Sequence, residues 1–369
     1  MKVNSLKFQN FRNLDDAEIF PCDGVNIIYG DNAQGKTNII EALWLFCGGH
    51  SFRTANAREM IKWGTDFSRL ECEFYGQERE QNASLGFSAT KKNVKINGVE
   101  KRSSSALIEK FCAVVFSPEN LSLIKRGPGE RRNFIDSAIC REKLKNAVML
   151  SKYNRLIAQR NALLKDVLRN PALGSTLDIW DDQIIMSGAR LLKQRLEFVN
   201  MITQKAAVYH SGISKNKEEL ELKYISSVGA EYSDSVEEIE EKMRSKYSAN
   251  RQNEIACGVT LAGPHRDDVE VIINGKNAKS FASQGQQRSA VLSLKLAEAA
   301  VLREKMGEEP VILLDDVLSE LDNSRQDYLL NELEGCQVFI TCCEKSNKEQ
   351  LKQGKVFLVN NGKISEEEN

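Results

Sequence analysis

The sequence predicts an α/β fold in which a domain with a mixed β-sheet is interrupted by a helical insertion. A β-branched run, Val25–Tyr29, leads into a Gly-rich loop and then into a helical run that begins near Asn38. A second run, Val311–Leu314, is fully apolar, as expected for a parallel strand that is covered on both faces. About 280 residues separate the two runs, which is too many for one compact α/β unit. Helical patterns occupy much of that interval, so we expect an insertion there.

The Gly-rich loop matches the phosphate-binding pattern G-x-x-x-x-G-K-[ST]. Its glycines let backbone N–H groups turn toward a phosphate, and the N-terminus of the next helix adds positive partial charge. Lys36 is expected to reach the β- and γ-phosphates, and the Thr37 hydroxyl to hold Mg²⁺. The predicted nucleotide-binding residues here are Gly30, Asp31, Asn32, Ala33, Gln34, Gly35, Lys36, Thr37 and Asn38.

Two carboxylates follow the second apolar run. A phosphate-binding loop needs a metal-orienting acid at the end of a neighbouring buried strand, and Asp315 is in that place. Asp315 is therefore predicted to bind Mg²⁺, directly or through water, together with Thr37. Asp316 is predicted to polarise the attacking water as general base. Lys36, Asp315 and Asp316 are the predicted catalytic residues.

A second candidate anion site precedes the apolar run by about 27 residues. A serine and a glycine at the start of a helical pattern present a hydroxyl and backbone N–H groups to an anion. One chain has one phosphate-binding loop, so a second anion site suggests that the γ-phosphate is shared with another subunit. The residues predicted to act there are Ser283, Gln284, Gly285 and Gln286.

The insertion is predicted to be a pair of long helices. Apolar residues recur at helical spacing over residues 141–170 and again over 179–202, with Pro171 and Gly174 between them. Such helices should pack antiparallel. The β-patterned blocks on either side contain Asn-Gly hairpin turns, and we expect them to form one mixed sheet. The predicted division is a domain of 1–117 and 258–369 interrupted by 118–257.

Composition and charge narrow the class of protein. Hydrophobic residues are 41% and charged residues 28% of the chain, which is ordinary for a globular protein. No apolar run reaches the roughly 18 residues of a membrane span, and the N-terminus is no signal peptide, so we expect a cytoplasmic protein without a membrane partner. The nine cysteines form no C-x-x-C pair, which favours reduced thiols over a zinc site or disulfides.

Positive charge is concentrated between Lys125 and Arg169, a stretch that contains twelve Lys and Arg residues but only four Asp and Glu residues. The run is either a solvated helix face or a footprint for a nucleic-acid backbone. If it is a footprint, Arg131, Arg132 and Arg141 are predicted phosphate contacts. No helix-turn-helix, zinc-finger or RRM signature indicates base readout.

Four segments together resemble the characteristic motifs of one enzyme class. Lys36-Thr37, residues 283–286, residues 313–316 and residues 319–322 look like the Walker A, signature, Walker B and D-loop of ABC-type ATPases. The subclass resembled is the SMC-like DNA-repair ATPases, and within it the RecF family of bacterial recombination mediators. Further blocks that resemble this family are residues 8–13, 118–136, 263–268 and 283–288, so the resemblance spans nearly the whole chain.

The resemblance implies an ABC-type P-loop ATPase head, lobe I, interrupted by a helical insertion domain, lobe II, with a short antiparallel arm. It implies that ATP is sandwiched between two heads, each of which gives its P-loop to one nucleotide and its Ser283 loop to the other. The dimer would clamp double-stranded DNA at gaps and double-strand/single-strand junctions. With RecO- and RecR-type partners it would help load RecA on single-stranded DNA during replication, recombinational repair and the SOS response. The implied activity is a slow, DNA-stimulated ATPase.

Arg12 and Asn13 match positions that such heads use near the nucleotide, although a plain surface turn is the alternative. Asp316 stands where ABC heads usually carry Glu, which suggests slow turnover, and Thr341 occupies the position of the switch histidine. Arg266 is either paired with Asp267 in a structural ion pair or available for phosphate or an opposing head.

Other proteins of this kind remain as alternatives: an SMC-like structural DNA organiser, or an ABC-type head with another partner. The insertion is short for a long arm, and it lacks a C-x-x-C zinc hook. A transporter head should carry a Q-loop glutamine and a switch histidine, and neither is evident.

Overall fold

The computed structural model describes residues 1–54, 56–89, 91–120, 123–343 and 354–367. The chain divides into two compact units. The head unit comprises Met1–Ser122 and Val291–Asn369, and the inserted unit comprises Leu123–Ala290. Within the described ranges, no helix combines the length and the apolar character that a membrane crossing requires.

The elements are numbered in chain order. The strands are β1 (Lys2–Gln9), β2 (Ala17–Ile19), β3 (Val25–Tyr29), β4 (Phe67–Gly76), β5 (Arg79–Ser88), β6 (Lys92–Ile96), β7 (Val99–Lys101), β8 (Ala113–Phe116), β9 (Leu220–Ile225), β10 (Asp268–Ile273), β11 (Lys276–Asn277), β12 (Val311–Asp315), β13 (Val338–Cys342), β14 (Gly354–Asn360) and β15 (Lys363–Glu367). The α-helices are α1 (Lys36–Leu45), α2 (Pro128–Glu142), α3 (Leu144–Arg169), α4 (Leu177–Ser214), α5 (Val236–Cys257), α6 (Ala278–Phe281), α7 (Gln284–Met306) and α8 (Asn323–Glu332).

The described residues of the head unit form two sheets. One is antiparallel, with the strand order β2-β1-β4-β5-β6-β7. The other has the order β15-β14-β3-β13-β12-β8; its strands from β14 to β8 run parallel, and β15 adds an antiparallel edge. Strands β12 and β13 are buried along their whole length, as parallel strands covered on both faces should be. A mixed sheet in the head and the buried strand at residues 311–315 were predicted from the sequence, and both are confirmed, although the strands predicted to form that sheet are not the ones observed.

Helix α1 lies in a core that both sheets share. Its residues Ile39 and Leu43 have no exposed surface, and they belong to one apolar cluster with Phe8 of β1 and Leu313 of β12. Burial of each side chain of this size stabilises the folded state by about 1.5 to 3 kcal/mol. The helix that follows the phosphate-binding loop is therefore fixed by the core, and the loop is anchored at both ends.

The inserted unit is mainly helical. Arg160 of α3 donates a hydrogen bond to Asp181 of α4, while Tyr153, earlier in α3, lies beside Gly188, later in α4. The two helices therefore run antiparallel, as predicted from their spacing. Helix α5 packs against both, and it begins with a reciprocal capping box between Ser235 and Glu238.

The prediction of a single mixed sheet for the two β blocks was wrong. Strand β10 pairs with β9 on one side and β11 on the other, in a separate three-stranded sheet of the inserted unit. The sequence of β9, LELKYI, alternates apolar and polar residues, as a strand that pairs with β10 should. From the sequence, these residues were assigned only to an acidic stretch. Because β10 pairs with β9, residues 258–290 belong to the inserted unit, whereas the predicted division grouped them with the head.

Candidate functional site

The phosphate-binding loop joins β3 to α1 and depends on its glycines. Gly30 has a φ of 152° and Gly35 a φ of 117°, which is the left-handed region that favours glycine. A Cβ atom on Gly30 would lie 2.2 Å from the carbonyl oxygen of Val359 on the neighbouring strand β14. Only glycine fits there. Its small size allows the tight turn after which Lys36 begins α1.

Lys36 is folded back onto this loop. Its side chain is buried, and Nζ donates hydrogen bonds to the carbonyl oxygens of Gly30 (2.6 Å) and Asp31 (2.8 Å). Nζ also lies 3.3 Å from Sγ of Cys343, just beyond the end of β13. The ammonium group is thus held among loop carbonyls, where it can turn toward a phosphate bound by the same loop.

The two predicted magnesium ligands meet. The Thr37 hydroxyl donates a hydrogen bond of 2.9 Å to Oδ1 of Asp315. Both residues lie at the carboxyl-terminal edge of the parallel sheet, because β3 and β12 flank the same strand, β13. A hydroxyl and a carboxylate oxygen are the ligand types that Mg²⁺ takes, with the remaining positions filled by water and substrate phosphates. The donor set therefore fits Mg²⁺.

Burial raises the pKa of the Asp315 carboxyl group, although hydrogen bonds from the Thr341 and Thr37 hydroxyls act in the opposite direction. Asp315 is thus a buried acid whose ionised form is favoured by its two hydroxyl donors. Among the described residues, no group of three or more His, Cys, Asp or Glu side chains is arranged to hold a metal.

Thr341 is a residue of this site to which the sequence reasoning assigned no role. Its hydroxyl donates to Oδ1 of Asp315 (2.9 Å) and accepts from the backbone N–H of Asp316 (2.8 Å). The side chain is buried. Thr341 is the register partner of Asp315 in the parallel pair of β12 and β13. The sequence offered one indication, because Thr341 follows an apolar run at the edge of the site. Only a histidine was expected to act at that position.

Asp316 adopts a left-handed backbone conformation, with a φ of 52°. Aspartate is one of the few residues other than glycine that adopt this conformation readily. The conformation is stabilised by the bond to Thr341 and by the Ser319 hydroxyl, which donates to the Asp316 carbonyl oxygen (2.8 Å). The chain therefore turns sharply after β12 and sets the side chains of Asp315 and Asp316 in different surroundings.

The residues before the loop contact it from two sides. Arg12 forms a two-pronged bond to the fully buried Glu41, with donor–acceptor distances of 3.0 and 2.6 Å. Asn13 accepts a hydrogen bond from Asn38 (2.6 Å). Arg53, which the sequence did not single out, donates to the same Asn38 side chain (2.7 Å). Arg12 and Asn13 thus brace the P-loop helix, and their contact with a nucleotide stays a prediction.

The predicted signature loop lies in the inserted unit. Ser283 is the residue before the first turn of α7, and its hydroxyl accepts the backbone N–H of Gln286 (3.3 Å). The Gln286 side chain in turn accepts the N–H of Ser283 (2.8 Å). Ser283 and Gln284, at the start of α7, are both exposed. The loop therefore forms a capping box that presents the start of a 23-residue helix to solvent.

The arginines predicted to contact phosphate are engaged inside the inserted unit. Arg131 is buried and binds both carboxylate oxygens of Asp268, at 2.8 and 2.9 Å. Arg132 donates to the carbonyl oxygen of Asp267 (2.6 Å), and Arg141 is also buried. The structure thus does not support these three as the surface of a footprint. The exposed basic side chains of α3 include Lys145, Lys152 and Arg155.

The Gly-Pro-His-Arg-Asp segment makes several hydrogen bonds within the inserted unit, while the exposed Arg266 keeps its predicted contact with phosphate or an opposing head as a prediction. Arg266 donates to the Thr260 carbonyl oxygen (3.0 Å), while the Asp267 carboxylate accepts from Tyr224 (2.8 Å) and the Ser227 N–H (2.7 Å). No ion pair between Arg266 and Asp267 occurs in the described structure. Burial lowers the pKa of the neighbouring His265 to about 4.

Nearly the whole of this chain is similar to known proteins of one family. A model of the RecF/RecN/SMC N terminal domain family matches residues 2–365. The chain is 39% identical over 368 residues to the DNA replication and repair protein RecF of Bacillus mycoides, covering 99% of this chain and 98% of that protein. It is also 39% identical over 372 residues to RecF of Clostridium acetobutylicum, covering 99% and 100%.

Solved structures agree with this result. The structure of the recombination mediator protein RecF-ATPrS in the RecFOR pathway has a TM-score of 0.93 and 34% identity, and covers 99% of this chain and 97% of that one. The Smc head domain of Pyrococcus furiosus, at 14% identity and a TM-score of 0.56 over 99% of this chain and 96% of that one, shares the fold. The ABC-type head predicted from the motifs is confirmed, and the chain belongs to the RecF family of DNA replication and repair proteins.

Proposed function

We propose that this protein binds and slowly hydrolyses ATP, dimerises in the ATP-bound state and clamps DNA during recombinational repair. The observation that carries the proposal is the 2.9 Å contact between Thr37 and Asp315. Two residues 278 positions apart form one oxygen-lined site beside the P-loop. The relatives' names support the same direction, since they describe RecF as a replication and repair protein and a recombination mediator with bound ATP.

The residues of the head unit divide the catalytic work. Lys36 binds the β- and γ-phosphates, and Thr37 and Asp315 hold Mg²⁺. When bound, Mg²⁺ neutralises charge that develops on the phosphates. Asp316 orients and polarises the attacking water. Aspartate is shorter than the glutamate usual at this position, so turnover is slow.

The signature loop supplies the reason for dimerisation. Ser283, Gln284, Gly285 and Gln286 stand at the solvent-facing N-terminus of a long helix, which favours an anion. In the proposed dimer each loop binds the γ-phosphate of the nucleotide held by the other copy. ATP, but not ADP, then completes both sites and joins the two subunits.

Contact with DNA is assigned to the exposed basic face of α3. Lys145, Lys152 and Arg155 are spaced at seven and three residues, which places them on one side of the helix. Double-stranded DNA and double-strand/single-strand junctions are the proposed ligands, as the family resemblance implies, and the basic side chains would contact the phosphate backbone. RecR- and RecO-type proteins are the proposed partners. RecA is affected indirectly, because these proteins together would help load it on single-stranded DNA.

Light scattering tests the dimer directly. The molar mass of wild type, Lys36→Met and Ser283→Arg is measured with ATP, with ADP and without nucleotide. We expect twice the monomer mass of 41.5 kDa for wild type with ATP alone, and monomers for both variants. Ser283→Arg should still bind ATP, whereas Lys36→Met should not. A wild-type mass that never depends on ATP refutes the proposed mechanism.

DNA binding is tested by salt dependence. Replacing Lys145, Lys152 and Arg155 by Gln should flatten the plot of log K against log salt by about 0.9 for each DNA phosphate that the variant no longer neutralises. The control replaces three exposed lysines elsewhere in the inserted unit, Lys217, Lys246 and Lys276, so that the net charge changes equally. Equal slopes for the two variants would show that net charge, and not this face, governs binding.

A further inference from the structure

The signature loop is braced by side chains that lie about seventy residues earlier in the sequence. The amide nitrogen of Gln286 donates a hydrogen bond of 2.9 Å to Oε1 of Glu218. The other carboxylate oxygen of Glu218 lies 3.1 Å from Nε2 of His210. We propose that Glu218 is a positioning residue for ATP hydrolysis, which orients Ser283 through Gln286. The inference rests on the proposed function, because Ser283 is taken to act on the nucleotide of a second copy.

Gln286 makes two hydrogen bonds to Ser283, whose carbonyl oxygen also accepts the backbone N–H of Gln287 (3.0 Å). The side-chain oxygen of Gln286 accepts the Ser283 N–H, and the backbone N–H of Gln286 donates to the Ser283 hydroxyl oxygen. A carboxamide is planar, with its oxygen and nitrogen at opposite ends. When Glu218 accepts from the nitrogen, the oxygen is left facing Ser283. The carboxylate of Glu218 therefore selects the orientation of the amide that closes the capping box.

Glu218 is itself held in place. His210 lies near the end of α4 and has no exposed surface, and the Glu218 side chain is 20% exposed. The backbone N–H of Glu218 donates to the hydroxyl of Ser214, the last residue of α4 (3.3 Å). Glu218 thus sits between the end of α4 and the start of β9. An anchored carboxylate can fix its partner, which a freely moving surface glutamate cannot.

The geometry has a consequence for phosphate binding. A serine hydroxyl has one O–H donor and two acceptor sites. The bond from Gln286 uses Ser283 as acceptor, and Ser283 is exposed to solvent, so its O–H can donate to a phosphate oxygen. Without Glu218, the Gln286 amide can rotate and open the capping box. The hydroxyl then loses its fixed direction, which lowers the rate in the dimer but leaves nucleotide binding to the P-loop intact.

The test compares Glu218→Ala with Glu219→Ala. Glu219 is the adjacent, exposed glutamate, so its replacement changes the charge by the same amount. We expect kcat of ATP hydrolysis to fall on the order of tenfold in Glu218→Ala, with unchanged ATP affinity, and to stay at the wild-type value in Glu219→Ala. Glu218→Asp keeps the charge but is one methylene too short to reach both His210 and Gln286. It should lose activity similarly, and it serves if the alanine variant fails to fold.

Mixing variants separates action on the partner's nucleotide from action on the variant's own. Glu218→Ala mixed with Lys36→Met should recover activity, since one composite site then joins an intact P-loop to an intact signature loop. Glu218→Ala mixed with Ser283→Arg should not recover, because both signature loops are impaired. Lys36→Met mixed with Ser283→Arg is the reference and should recover.

The outcomes are distinct. If the reference mixture stays inactive, the shared-site dimer of the proposed function is wrong. If the reference recovers but Glu218→Asp hydrolyses ATP at the wild-type rate, the role of Glu218 is refuted. The same conclusion follows if a folded Glu218→Ala fails to recover activity with Lys36→Met.

Discussion

Replacement of Thr341 by valine isolates one hydroxyl at the centre of the candidate site. Valine has nearly the same shape, so packing against β12 is kept while a donor and an acceptor are removed. The Asp315 carboxylate loses a charge-assisted bond of 2.9 Å, and the N–H of Asp316 loses its bond of 2.8 Å. Both bonds are made by a side chain with 1% of its surface exposed, so water cannot replace them without disturbing the sheet.

The cost follows from the two bonds. A hydrogen bond to a charged group contributes about 1.5 to 3 kcal/mol, and a buried N–H without a partner costs about 1 to 3 kcal/mol. Thr37 still donates to Asp315, which limits the first loss. We therefore expect Thr341→Val to lower the free energy of unfolding of the head unit by about 2 to 4 kcal/mol. Thr341→Ser keeps the hydroxyl and should lose much less.

The loss should depend on pH with a definite sign. Burial raises the pKa of Asp315 in the folded state, and the Thr341 hydroxyl opposes that rise. Folded protein therefore binds the proton more readily than unfolded protein, and stability decreases as the pH rises between the unfolded and folded pKa values. Removing the hydroxyl raises the folded pKa further. The deficit of Thr341→Val is thus largest at neutral pH, where the carboxylate is ionised, and shrinks in acid.

Urea denaturation measures both effects, without nucleotide or Mg²⁺. Trp44 and Trp63 lie in the head unit and Trp180 in the inserted unit, so a Trp180→Phe background makes fluorescence report on the head. The midpoint shift multiplied by the slope gives the free-energy change. A valine variant as stable as wild type would refute the role assigned to Thr341. A deficit that grows in acid would refute the explanation from Asp315.

Two further variants test other parts of the structure. Gly30→Ala should abolish ATP binding, because its Cβ would lie 2.2 Å from a backbone oxygen, whereas Gly24→Ala, with open space around it, should bind normally; fluorescent ATP titration distinguishes them. Arg160→Met should destabilise the inserted unit by about 3 to 5 kcal/mol, since it removes the arginine paired with the fully buried Glu254 and leaves Asp181 with Arg251 alone, while Arg244→Met removes an exposed pair and should cost under about 1 kcal/mol. Equal urea midpoints for the two arginine variants would contradict the buried-pair argument.

Local pattern was enough for the elements of the nucleotide site. Three patterns predicted these elements, each from about ten consecutive residues. They are the glycine pattern of the loop, the β-branched run before it and the apolar run that ends in carboxylates. Backbone sterics and strand burial act at that range. The P-loop, the buried strand at residues 311–315 and the antiparallel helices were therefore predicted correctly. The long interval between Lys36 and Asp315 was enough to indicate an insertion.

The failures share a cause. Strand β9 was missed because its residues were interpreted only as part of an acidic stretch. The separate sheet that β10 joins was therefore missed as well, since strand pairing depends on partners that are distant in sequence. Positive charge on α2 suggested a footprint, yet Arg131 is bound to Asp268, 137 residues away. Sequence alone shows that a charge is present, but only packing decides whether solvent reaches it.

The sequence by itself determined the family, the motifs and the identity of the groups that meet a nucleotide, since these depend on residue type and short spacing. The tertiary structure alone decided which side chains hold those groups in place. Thr341 reaches Asp315 because β13 lies beside β12, and Glu218 reaches Gln286 because the chain returns from α4 to the start of α7. Such contacts form between residues that no local pattern links. Their energy is realised only when the fold has brought them together and excluded water.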